Sequence, residues 1–148
     1  QEKPSEKSME QFNVSGIATK DGFHFFRLQS SMEGLLSLLD GILFPLRFTV
    51  FNSSEVAFLC EKGKASKVVE IFRKNKISFE EVPHVATISV VGEGISHSNE
   101  WIGKTFSFIE KNQKKALLLV TNSTSITIAV ESKFKESLAT FLHQLLIS

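Results

Sequence analysis

Two periods of hydrophobic spacing alternate along this 148-residue chain. Phe12, Val14 and Ile17 predict a strand over Phe12–Ala18, kinked at Ser15-Gly16. Lys20-Asp21-Gly22 predicts a turn, and Phe23–Leu28 a second strand ending in the polar loop Gln29-Ser30-Ser31. Apolar residues at Met32, Leu35, Leu36, Leu38, Leu39, Ile42 and Leu43 then have helical spacing. Ser30 or Ser31 suits the N-cap, Glu33 suits the first turn, and Pro45 ends a helix of Met32–Phe44. Leu46–Phe51 and Val56–Cys60 flank Asn52-Ser53-Ser54 and predict a hairpin. Beyond Gly63, Ala65–Asn75 reads as a helix, and Ile77–Val82 as a strand stopped by Pro83.

The order then recurs. Val85–Val91 reads as a strand, Gly92-Glu93-Gly94 as a turn and Ser98–Lys111 as a helix. Ala116–Thr121 and Ser125–Val130 form a second hairpin about Asn122-Ser123-Thr124, and Phe134–Ile147 closes the chain as a helix. The two hairpins align at an offset of 70 residues, Val50-Phe51-Asn52-Ser53 on Val120-Thr121-Asn122-Ser123. Such an offset implies internal duplication.

The second copy lacks a final strand, while the first has one to spare, Phe12–Ala18. Letting that strand complete the second copy gives two four-stranded antiparallel sheets, each with two helices on one face. This is the ferredoxin-like βαββαβ arrangement of an α+β protein. The expected organisation is a tail over residues 1–11, a first unit over 20–83, and a second unit of 12–19 plus 84–148. The first is inserted in the second.

Composition narrows the function classes. A formal net charge of +1 lacks the electrostatic footprint of a nucleic-acid binder. A ferredoxin-like nucleic-acid binder would need exposed strand aromatics such as Phe23, Phe25 or Phe58 beside a basic sheet. Fourteen Phe and no Tyr predict an aromatic core with few hydroxyls, and Trp101 falls in core phase with Phe106 and Ile109. The single Cys60 excludes an internal disulfide, and a buried structural thiol is expected there. No apolar run is long enough to span a membrane. The chain begins at Gln1 rather than Met, which leads us to expect part of a longer polypeptide.

No catalytic set emerges. Asp occurs only at Asp21 and Asp40, and no carboxylate pair, Ser/His/Asp set or Cys/His set can be placed together. His24, His84 and His143 have no metal spacing. His97 is either a ligand contact or a solvent-facing loop residue. Gly92-Glu93-Gly94 before a helix is either an anion cradle or a simple turn, and it lacks the third glycine of a dinucleotide fingerprint. Lys111–Lys115 reads as a solvated loop. The three Asn-x-Ser/Thr triplets at Asn13, Asn52 and Asn122 read as chance occurrences.

Three stretches carry a family resemblance: Val14-Ser15-Gly16-Ile17-Ala18, Ser54-Glu55-Val56 and Val85-Ala86-Thr87-Ile88-Ser89-Val90-Val91-Gly92. In their order and spacing, over residues 12–147, they resemble the tandem ACT-domain regulatory region of aspartokinase. The inserted arrangement of the units is shared as well. The resemblance implies a cytoplasmic regulatory module that binds a feedback amino acid, lysine or threonine. It also implies self-association through ACT units and signalling to an upstream kinase domain. That domain, with its ATP and Mg, phosphorylates the aspartate side chain. This chain itself then carries no catalytic residue, metal or cofactor, and contacts neither nucleic acid nor membrane.

By position, the resemblance puts the effector site at Ser30, Ser31, Met32, Glu33, Gly34 and Leu35, next to Gln29. It adds Phe48 and Thr49 on the following strand and Ser53, Ser54 and Glu55 at the hairpin. Amides at a helix start suit a carboxylate, and Glu55 suits a lysine ammonium. Thr49 stands where the family has an aspartate, so the alternative is a structural ACT-type dimerisation module with a degenerate ligand site.

Overall fold

The computed structural model describes residues 13–40, 47–95 and 98–147. Among the described residues, six strands and four helices form: β1 (Asn13–Gln29), α1 (Met32–Leu38), β2 (Arg47–Asn52), β3 (Glu55–Glu61), α2 (Lys62–Lys74), β4 (Phe79–Glu93), α3 (Glu100–Lys111), β5 (Leu118–Thr121), β6 (Ser125–Glu131) and α4 (Lys135–Leu146). A short 3₁₀ turn, Ser132–Phe134, leads into α4. The tail, His97 and the segment containing Ile42 to Leu46 lie outside the described residues. The fold is mixed α and β with an antiparallel sheet.

The chain forms two compact units. The first is Gly22–Val85. The second joins the described residues through Asp21 to those from Ala86 onward. The strand order is β2-β3-β1-β4-β6-β5 in one six-stranded sheet, not two separate four-stranded ones, and β1 and β4 each contribute residues to both units.

In the first unit, β1 pairs β3 with Phe26 opposite Phe58 and Leu28 opposite Val56. These residues and Cys60 share one face of the sheet, because strand side chains alternate. Leu35 and Leu39 from the α1 segment and Ala65, Val68 and Phe72 from α2 complete that core, so both helices cover the same face. The Phe26 and Phe58 rings stack at 5.2 Å, and Phe72 meets both edge-on. Phe23, Phe25, Ala57 and Leu59, on the opposite parity, are buried too.

In the second unit, Ile88 and Val90 of β4 and Ile126, Ile128 and Val130 of β6 face Trp101 and Ile109 of α3 and Leu138 and Leu142 of α4. Val14 and Ile17 of β1 pack against this core. Trp101 is a packing residue, its indole N–H donating to the Ile95 carbonyl at 3.3 Å.

Two expected breaks are absent. β1 runs 17 residues through Lys20-Asp21-Gly22, and β4 runs through Pro83. A turn triplet reverses the chain only if its flanks pair with each other. Here the flanks pair with other strands, and Gly22 takes a φ of +96° within the continuous strand. Pro83 lies within β4 and does not end it. His84 follows at φ +59°.

Helix limits also shift. α1 ends at Leu38 rather than Phe44, with the Leu39 amide closing on the Leu35 carbonyl at 3.0 Å. α2 starts at Lys62, directly after β3, and takes Gly63 into its first turn.

Candidate functional site

The loop after β1 and the β2–β3 turn meet. The Ser30 amide donates to the Ser54 carbonyl at 2.8 Å. Ser31 caps α1, its hydroxyl accepting from the Gly34 amide at 3.0 Å. The Ser30 hydroxyl donates to the Ser31 carbonyl at 2.9 Å. A Cβ on residue 34 would stand 3.2 Å from both serine hydroxyl oxygens, so the crossing of this loop into the helix favours glycine.

At the turn, the Asn52 side-chain oxygen accepts from the Ser54 amide at 2.8 Å and from its hydroxyl at 2.9 Å. The second hairpin repeats the device. The Asn122 side-chain oxygen accepts from the Thr124 amide at 2.9 Å and the Ser125 amide at 2.8 Å. The bond from Ser30 to Ser54 has its counterpart from the Gly92 amide to the Thr124 carbonyl, at 2.9 Å. The duplication seen in the sequence is therefore geometric at both hairpins. The hairpins also differ in register: the shift between Val50 and Asn52 in β2 has no counterpart in β5. Phe48 and Thr49 consequently lie opposite Phe58 and Ala57.

The expected site residues thus separate. Ser30, Ser31 and Gly34 are joined to Ser53, Ser54 and Glu55 through the Ser30–Ser54 bond. Leu35 is fully buried in the core, and its amide is spent on the Ser31 carbonyl at 3.0 Å. Met32 packs partly against the same core. Glu33 is exposed and lines a different cleft, with Leu36, Ser37 and Asp40.

Glu55 is held by a residue that the reading of the sequence missed. Arg27 Nε donates to Glu55 Oε2 at 2.7 Å, and its Nη2 lies 2.6 Å from the same oxygen. Arg27 is opposite Ala57, and Gln29 opposite Glu55, so the pair spans a diagonal of the β1–β3 ladder. The available signal was an arginine on the otherwise apolar parity of Phe23 and Phe25. Arg27, Gln29 and Glu55, with Leu28, Ser78, Phe79 and Glu80, line a cleft of about 340 Å³.

A second cleft, about 490 Å³, lies along α2 between Lys62 and Arg73, with His24 and Glu81 beside it. His24 Nδ1 is 2.7 Å from Glu81 Oε2, and its ring is 6.2 Å from that of His84. Among the described residues, no group of three His, Cys, Asp or Glu side chains is placed to hold a metal ion, and no helix is long and apolar enough to cross a membrane.

Each unit presents a βαββ run in which the loop after its first strand is hydrogen-bonded to its hairpin. Solved aspartate kinase structures share the fold. The ligand-free regulatory subunit of aspartate kinase from Thermus thermophilus aligns with a TM-score of 0.75 at 18% identity, over 88% of this chain and 96% of that one. Aspartate kinase from Clostridium acetobutylicum aligns at 0.74 and 18%, over 90% of this chain and 35% of that one. Aspartokinase III of E. coli, solved in complex with lysine and aspartate, aligns at 0.69 and 14%, over 91% and 33%. The likeness is therefore to whole regulatory subunits and to about a third of the larger kinase chains. No family model and no curated protein matches the sequence.

Proposed function

We propose that this chain is the amino-acid-sensing regulatory module of an aspartate kinase, built as two ACT units that self-associate and signal to a kinase domain. One observation carries the reading. The fold aligns along nearly the full length of an aspartate kinase regulatory subunit, with the loop–hairpin junction held by the Ser30–Ser54 bond. An effector amino acid, lysine or threonine, is assigned to Ser30, Ser31, Met32, Glu33 and Gly34 together with Phe48, Thr49, Ser53, Ser54 and Glu55. That E. coli aspartokinase III was solved with lysine supports an effector of this class. ATP, Mg and the phosphorylation of aspartate belong, in this reading, to the kinase domain.

Isothermal titration of the chain with lysine, threonine and methionine tests the proposal. Saturable heat with one of them is expected. No heat with any amino acid would sink the sensor reading and leave a dimerisation module.

A further inference from the structure

We propose that the cleft along α2 is a docking groove for an amphipathic helix with an acidic polar face. The inference stands apart from the effector residues, since none of them lines this cleft. Charge singles out α2 first. Residues 62–76 carry six cations, Lys62, Lys64, Lys67, Arg73, Lys74 and Lys76, and one carboxylate, Glu70. That is +5 within a chain of formal net charge +1. Among the described residues, no ion pair ties up Lys62, Lys67, Arg73 or Lys74. A surface dominated by one sign of charge steers and orients a partner of the other sign.

The cleft supplies what a purely ionic patch lacks. Its volume is about 490 Å³, and Lys62 and Arg73 mark its ends on α2. At 1.5 Å per residue those ends lie about 16 Å apart, three helical turns. Ala65 and Val69, one turn apart, form an apolar stripe between the two cations. The far wall is His24 with Glu81, whose carboxylate is held by the imidazole at 2.7 Å. The remaining lining acid, Glu70, has Lys67, Arg73 and Lys74 within one turn of it, so the rim stays positive. An occupant must therefore set apolar side chains on Ala65 and Val69 and carboxylates beside Lys62 and Arg73. A helix of three turns does both, with apolar anchors at i, i+4 and i+7 and acids flanking them. A nucleic acid fits worse. Glu70 would face phosphate, and no Phe, Tyr or Trp lines the cleft to stack a base.

The test is fluorescence anisotropy of the full chain with a labelled synthetic peptide carrying leucines at i, i+4, i+7 and i+11 and glutamates between them. A scrambled peptide of the same composition and a single-stranded RNA of similar length serve as comparisons. The patterned peptide should bind about fivefold or more tighter than the scrambled one, the span of one partly buried apolar side chain. Raising salt from about 0.1 to about 1 M, which shortens the Debye length from about 10 to about 3 Å, should weaken it severalfold. Lys62→Glu combined with Arg73→Glu should cost roughly tenfold. Lys111→Glu combined with Lys114→Glu, the same change of charge in the second unit, should leave binding unchanged. Val69→Ser should weaken the patterned peptide selectively. Circular dichroism checks each fold, and if Val69→Ser fails to fold, a peptide with serine in place of its leucines carries the same test. The inference is overturned if the patterned peptide does not bind, or if the scrambled peptide or the RNA binds as tightly. It is equally overturned if the Lys62/Arg73 and Lys111/Lys114 reversals have equal effects. Amino-acid sensing would stand in each of those cases, because the effector residues lie outside this cleft.

Discussion

Burial lifts the Cys60 thiol to about 11, because the thiolate would lose its hydration in the core of the first unit. Thiol reagents at neutral pH should therefore label Cys60 only after denaturant is added. Rapid labelling of the native chain would contradict the packing around Phe58 and Phe72. The electrostatic counterpart is the ion pair between Asp21 and Lys135, which joins β1 to the start of α4 in the second unit. The Lys135 ammonium and the Ser132 side chain hold Asp21 below its ordinary 3.8, and Asp21 in turn holds Lys135 above its ordinary 10.5. A depressed carboxylate stabilises above its unfolded pKa and loses that contribution as pH falls through the folded one. A raised ammonium contributes below its unfolded pKa and loses it as pH climbs through the folded one. Thermal melts of Asp21→Asn should hence fall below wild type at neutral pH and converge with it as pH drops beneath 3.8. A constant gap down to strong acid would argue against the pair. Asp21 is about half exposed, so the neutral-pH difference should be small. Neither partner was legible as a pair in the sequence, where 114 positions separate them. The buried character of Cys60 was legible, since its neighbours Val56, Phe58 and Leu59 are apolar.

At the scale of elements, the hairpins were the most readable part, because Asn-Ser-Ser and Asn-Ser-Thr turns carry their own hydrogen-bonding side chains. Asn122→Ala removes the acceptor for two backbone amides and should cost roughly 1 kcal/mol in denaturant melts. The long strands were the least readable. Gly22 and Pro83 look locally like stops, and only the distant partners of β1 and β4 reveal them as positions within continuous strands. The left-handed backbone at Gly22 and at His84, the residue after Pro83, makes a paired prediction. Gly22→Ala places a Cβ at φ +96° and should destabilise on the order of 1–2 kcal/mol, although nothing crowds the position. His84→Gly, at φ +59°, relieves the same kind of strain and should cost little or stabilise. If both substitutions destabilised equally, the left-handed backbone would not decide which residues these positions favour. The effector loop was readable only in part. Ser31 as N-cap follows from composition and spacing, but Arg27 could not be assigned to Glu55 without the β1–β3 register.

For the whole molecule, the consequence of the inserted order is that the chain's first strand belongs with its last elements. The second unit draws β1 residues before Gly22 together with everything from Ala86 onward. Val14 and Ile17 pack on the core of Ile88, Trp101, Ile126 and Leu138, and Asp21 anchors to Lys135. That order was legible from one missing and one surplus strand, because a βαββ repeat without its closing strand leaves a sheet edge bare. Deleting residues 1–20 strips β4 of its β1 neighbour within the second unit and removes two apolar side chains from its core. The first unit, Gly22–Val85, keeps β2, β3, the rest of β1 and both of its helices. Hydrogen exchange read by mass spectrometry should therefore show α3, β5, β6 and α4 losing protection in the truncated chain. Peptides from β3 and α2 should keep theirs, although the cut lies closer to them in sequence. Equal protection in both chains would mean that the second unit closes without its crossover strand. Loss confined to the first unit would mean that contiguity in sequence, rather than the strand order, decides which parts of the molecule stand together.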